Sequence, residues 1–173
     1  MPQEMPPLPF MMGERRHCRY RHQNGTGPLV SGNSGGRNSE EYMAQNITKG
    51  IRSLLDEANL VVENMSVEEA SKCFDSEAHV FVDLRDIREL QREGKIPGAF
   101  SCPRGMLEFW IDPESPYHKD VFNQDKTYVF YCASAWRSAL AAKQAGEMGL
   151  SPVMHMTGGF SAWKTFGAPV ERN

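Results

Sequence analysis

The strongest constraint on the fold is a repeated alternation of short apolar runs with helical stretches. Thr127–Tyr131 (TYVFY) is β-branched or aromatic throughout, and His79–Leu84 (HVFVDL), Ala99–Ser101 and Val153–Met156 are further short runs bounded by polar or turn residues. Val61-Val62 reads as one more strand. Between them, Ser66-Val67-Glu68-Glu69 is a capping box that predicts a helix from Val67 to about Phe74. Asp86–Glu93, Ser138–Met148 and Gly159–Phe166 supply three more helices, with Gly149 placed to stop the second. Strands that alternate with helices pair in parallel and are covered on both faces, so the chain is expected to be an α/β protein.

Composition sets the number of domains and removes some functions. At 173 residues, 40% apolar and 24% charged, the chain suits a single core. A net charge of −3 and a pI near 6.0 argue against a protein that wraps nucleic acid or anionic lipid. No run approaches the ~18 consecutive apolar residues of a membrane span, and the N-terminus lacks the succession of a secretory signal, so a cytoplasmic location is expected. Residues 1–45 hold five of the eleven prolines and six of the fifteen glycines, with no apolar period, and read as a disordered basic arm. Within it Glu14–His22 (ERRHCRYRH) is the most basic stretch, and Met43 is a credible alternative start. Residues 46–62 form an N-terminal amphipathic helix, with Ile47, Ile51, Leu54, Leu55 and Ala58 on one face, expected to pack on the domain at residues 63–173.

The cysteines Cys18, Cys73, Cys102 and Cys132 form no CxxC pair and no metal-ligand spacing, and each has to be weighed alone. Cys18 lies in the arm, and Cys73 with Phe74 reads as core. Cys132 stands at the end of TYVFY, before the short loop Ala133-Ser134-Ala135-Trp136-Arg137 and an Ala-rich helix. Ligands bind beyond the carboxyl ends of parallel strands, where loop amides and a helix N-terminus converge. Amides in a nest and the charge of Arg137 would stabilise a thiolate, a persulfide or a bound oxyanion there. The alternative is a small buried hydrophobe at a strand end.

Cys132-Ala133-Ser134-Ala135-Trp136-Arg137-Ser138 resembles the active-site loop of the rhodanese sulfurtransferases, in which an arginine follows the cysteine by five positions. Val82-Asp83-Leu84-Arg85, Ile96-Pro97-Gly98-Ala99, Thr157-Gly158-Gly159-Phe160 with Trp163, and Gly167-Ala168-Pro169-Val170 are similar to further markers of that family, in the same order. The resemblance runs from about Glu63 to Glu171. It implies a three-layer sandwich, a five-stranded parallel sheet with helices on both faces. It also implies transfer of sulfane sulfur from thiosulfate or a similar small-molecule donor to cyanide or a thiol, through a persulfide on Cys132, with no metal or organic cofactor. Ala133–Ser138 would cradle the sulfur and Arg137 would help bind the donor dianion. One departure stands out: Ala135 occupies the position where the family often has glycine, so a positive φ there would cost about 1 kcal/mol. Trp136 beside it is either a wall that selects the acceptor or a ring packed over the loop.

Three supporting residues are expected. Asp83 and Arg85 at a strand end either orient the loop or hold the fold, and Arg104 near the rim either assists anion binding or pairs with Glu108. Cys102 is a resolving thiol or a buried small residue. His79, His118 and His155 lack ligand spacing. Besides the sulfurtransferase, two function classes stay open. One is a relay module that hands sulfur to a protein acceptor. The other is a phosphatase or arsenate reductase on the same scaffold, which the four residues between Cys132 and Arg137 disfavour, because the related phosphatase loops are one residue longer.

Overall fold

The computed structural model describes residues 45–172. The Pro/Gly-rich arm with Glu14–His22, Cys18 and Met43 lies outside the described residues. Five strands, β1 (Glu63–Met65), β2 (His79–Asp83), β3 (Phe100–Ser101), β4 (Thr127–Tyr131) and β5 (Val153–Met156), form one parallel sheet in the order β1-β5-β4-β2-β3. Six α-helices connect or flank them: α1 (Ile51–Val61), α2 (Val67–Cys73), α3 (Ile87–Glu93), α4 (Leu107–Ile111), α5 (Trp136–Glu147) and α6 (Gly159–Phe166).

The central strand β4 shows why its sequence is apolar throughout. Tyr128 and Phe130 point to one face, into a cluster with Ala141, Ala142 and Ala145 of α5. Val129 and Tyr131 point to the other, into a cluster with Ala70 of α2 and Phe160 and Trp163 of α6. These four β4 side chains are sealed from solvent. Burial of this kind contributes about 1.5–3 kcal/mol for a residue such as Val129 or Phe130.

The helix starts are set by local chemistry. At α2, Ser66 Oγ accepts from the Glu69 amide while a Glu69 carboxylate oxygen accepts from the Ser66 amide. Asp86 and Glu89 form the same reciprocal box at α3. At α5 no side chain caps the helix; Ala135 stands there in a left-handed conformation, φ 73° and ψ −14°. That turn starts α5 at Trp136, two residues before the sequence periodicity suggests.

Two expectations need correction at the N-terminal edge. Helix α1 begins at Ile51 rather than in residues 46–50 and continues through Val61, so the strand expected at Val61-Val62 is displaced to Glu63–Met65. Packing decides both. Leu55 and Ala58 of α1 dock on Ala139 of α5, and the parallel register that sets Met65 opposite Met156 buries Met65, while Val61 stays exposed. Tertiary contacts here override the β-propensity of a valine pair. Helix α4 fills a segment where periodicity had given no element.

Candidate active site

Cys132 follows the last residue of β4 and is almost fully buried, its carbonyl turned toward the start of α6. The Phe160 amide donates to the Cys132 carbonyl at 2.7 Å, and the Ser161 amide donates to the Ala133 carbonyl at 3.0 Å. This docking explains the glycine at 159: a Cβ there would collide with the Cys132 oxygen and come within 2.8 Å of the Ala133 carbonyl. Helix α6 thus fixes the first half of the loop from outside, through backbone groups alone.

The second half closes on itself. The Cys132 thiol donates to Ser138 Oγ at 3.8 Å, and the Ser138 hydroxyl donates to the Ala135 carbonyl at 3.0 Å. The loop's two ends therefore meet around the sulfur. Among the described residues, no protein group accepts from the amides of Ala133 through Ser138. Such free amides at the N-terminus of a twelve-residue helix are a ready anion site. Ala135 is the sole non-glycine with positive φ among the described residues, so the strain expected from alanine in this loop falls on that residue.

Arg137 pairs with a carboxylate on α3. Its Nη1 and Nη2 donate to the two carboxylate oxygens of Glu89 on α3, at 2.8 and 2.9 Å. Hydrogen bonds from Arg137 hold the Glu89 carboxyl down at about 2, against the cost of partial burial. The same bonds raise Arg137 above its ordinary value, and its nearness to the Cys132 side chain adds to this. Glu89 also accepts from the Asp86 amide, so one carboxylate ties the start of α3 to the loop's arginine. Glu89 is absent from the sequence-derived site. The D-x-x-E spacing of Asp86 and Glu89 signals its capping role, and nothing in sequence signals the arginine.

The remaining candidates fall into two groups. Asp83 and Arg85 pair with each other in the core, with Arg85 Nη2 donating to Asp83 Oδ2 at 2.6 Å and to the Gly94 carbonyl at 2.7 Å. The Arg85 guanidinium lies 3.9 Å from the centroid of the Phe160 ring. Neither side chain hydrogen-bonds to the loop among the described residues. Arg104 gives a forked bond to Glu108, at 2.8 and 3.0 Å. Cys102 is buried, and that burial pushes its thiol up to about 12, which keeps it protonated at neutral pH.

Trp136 stands 52% exposed at the head of α5. With Ser134 and Ala135 it walls a cleft of about 520 Å³ beside the loop. Among the described residues no group of three or more His, Cys, Asp or Glu could hold a metal ion, and no helix is long and apolar enough to cross a membrane.

The chain is similar to several known proteins. A protein of unknown function from Rhodopseudomonas palustris, described as a possible tyrosine phosphatase, is 56% identical with a TM-score of 0.73, over 75% of this chain and 99% of that one. A sulfurtransferase of Allochromatium vinosum is 29% identical over 96 residues, 56% of this chain and 81% of that protein. An uncharacterised Synechocystis protein is 33% identical over 93 residues, 54% of this chain, and the match spans about half (47%) of that relative. Residues 66–166, with Cys132 and Arg137 among them, match the rhodanese-like domain, and the chain belongs to that family.

Proposed function

We propose that this protein is a sulfurtransferase that carries sulfane sulfur as a persulfide on Cys132. The observation that carries the reading is the loop itself: a cysteine at a strand end, six amides without protein acceptors, and an arginine four intervening residues away. In the first half-reaction the Cys132 thiolate attacks the outer sulfur of thiosulfate. The S–S bond of the donor breaks, sulfite leaves with the electron pair, and Cys132–S–S⁻ remains. In the second, cyanide or a thiolate attacks the outer sulfur and Cys132 departs as thiolate. The free amides stabilise the anionic terminal sulfur, and Arg137, positioned by Glu89, contributes positive charge at the loop's rim. Ala133, Ser134, Ala135 and Trp136 supply the cradle, and Ser138 stands within hydrogen-bond reach of the sulfur.

A second reading, phosphate-monoester hydrolysis, draws on the description of the 56% identical Rhodopseudomonas palustris protein as a possible tyrosine phosphatase. The short loop weighs against it. Thiocyanate formation from thiosulfate and cyanide, measured beside hydrolysis of p-nitrophenyl phosphate, separates the two. The expected result is thiocyanate production that falls at least ~10³-fold in Cys132→Ser, with no phosphate release. Phosphate release that depends on Cys132, without thiocyanate, would replace the sulfurtransferase reading by the phosphatase one.

A further inference from the structure

The cleft beside the loop holds a buried polar group with no protein partner. His155 of β5 is 3% exposed, and neither its Nδ1 nor its Nε2 has a hydrogen-bond partner among the described residues. Burial holds this imidazole below its usual value, so at neutral pH it is uncharged and offers one donor and one acceptor. An unpaired buried polar group of this kind is disfavoured until something satisfies it. His155 lines the cleft, and Asn64, opposite it in the β1–β5 register, lines it too. Leu55 and Asn59 of α1 and Trp136 of α5 form the walls.

Two properties of the lining select the occupant. It contains no lysine, arginine, aspartate or glutamate, so it offers no side-chain charge to pair with a charged body. It combines an indole and a leucine with the amide side chains of Asn59 and Asn64 and the imidazole at the floor. A volume of about 520 Å³ suits a small organic molecule rather than an inorganic anion. Cys132 does not line the cleft, but Ser134 and Ala135 belong to both the cleft and the loop, so a body bound there is held against the rim of the sulfur cradle.

Resting on the sulfur-transfer reading, we propose that this cleft is the acceptor subsite, and that it takes the uncharged body of an organic thiol: an aromatic or aliphatic portion against Trp136 and Leu55, and a hydrogen-bonding group satisfying His155. The thiol gives its proton to solvent, its thiolate attacks the outer sulfur of Cys132–S–S⁻, and the products are an organic persulfide and the Cys132 thiolate. Cyanide needs no such subsite and serves as the internal reference.

The test has a binding arm and a turnover arm. Benzyl alcohol, an unreactive analogue of a neutral thiol, is titrated into Cys132→Ser protein while the His155 imidazole nitrogens are followed by NMR. A saturable shift is expected. In turnover, kcat/KM for benzyl mercaptan relative to cyanide should fall about ten-fold in His155→Phe. Asn59→Lys, at an exposed position of α1, should raise the preference for thioglycolate over benzyl mercaptan by a similar factor. A persulfide that forms on Cys132, with no saturable shift and unchanged acceptor ratios in both variants, would overturn the assignment of the cleft alone. Absence of any persulfide on Cys132 would overturn the sulfur-transfer reading and the acceptor assignment together.

Discussion

Two arginine–carboxylate pairs, Arg85 with Asp83 of β2 and Arg137 with Glu89 of α3, are bidentate, and they do different work. Asp83 and Arg85 are sealed in the core, their side chains 0% and 1% exposed, and their bonds run to each other, to the Gly94 carbonyl and across the Phe160 ring. Glu89 and Arg137 are partly open to solvent and join α3 to the sulfur loop. The first pair clamps the end of β2 to the end of α3, beneath the helix that holds the Cys132 and Ala133 carbonyls. In the proposed reaction the second sets the position of a charge beside the Cys132 sulfur. Arg85 binds its carboxylate through Nε and Nη2 and Arg137 through Nη1 and Nη2, so burial and the partner's place in the chain separate the framework arginine from the one proposed for the site.

The largest effect expected from this contrast is Arg85→Ala, which leaves Asp83 charged and unpaired in the core. A loss of ~3–5 kcal/mol in urea unfolding is predicted, with partial recovery in a double variant that makes both positions apolar. Arg137→Ala should reverse the pattern: stability within about 1 kcal/mol of the parent, and at least a ten-fold fall in kcat/KM for thiosulfate. Equal stability losses in the two variants would break the contrast. A smaller effect is predicted for Ala135→Gly, which removes the positive-φ strain and should gain about 1 kcal/mol in the same unfolding assay.

A further effect is a pH dependence. The folded carboxyl of Glu89 sits near 2, below its ordinary 4.5. The stability it contributes is therefore fully present above about 4.5 and is lost as pH falls toward about 2. Unfolding followed over that window should show a decline that is shallower in Glu89→Gln. An identical slope in the two proteins would remove Glu89 from the account.

What could be read from sequence follows the range of the interactions involved. TYVFY and the β5 run are legible because their bounds are set by residues within each run, and the Ser66–Glu69 box because its two bonds span three residues. The strain at Ala135 is legible for the same reason, as an alanine where the turn favours glycine. The start of β1 is not, because Val61-Val62 has β-propensity and only the pairing of Met65 with Met156 moves the strand downstream. Glu89 escapes notice because its arginine lies 48 residues away in the chain. His155 is set aside in the sequence for want of ligand spacing, because being buried without a partner is a property of the packed cleft, and no spacing encodes it.

The claim that most needs testing is that Cys132 carries the sulfur. Intact mass of the purified protein is measured before and after excess thiosulfate, with Cys132→Ser and Cys102→Ser alongside. The account predicts one added sulfur in the parent and in Cys102→Ser, removable by cyanide, and none in Cys132→Ser. An unchanged mass in the parent, or an adduct that persists in Cys132→Ser, would contradict it.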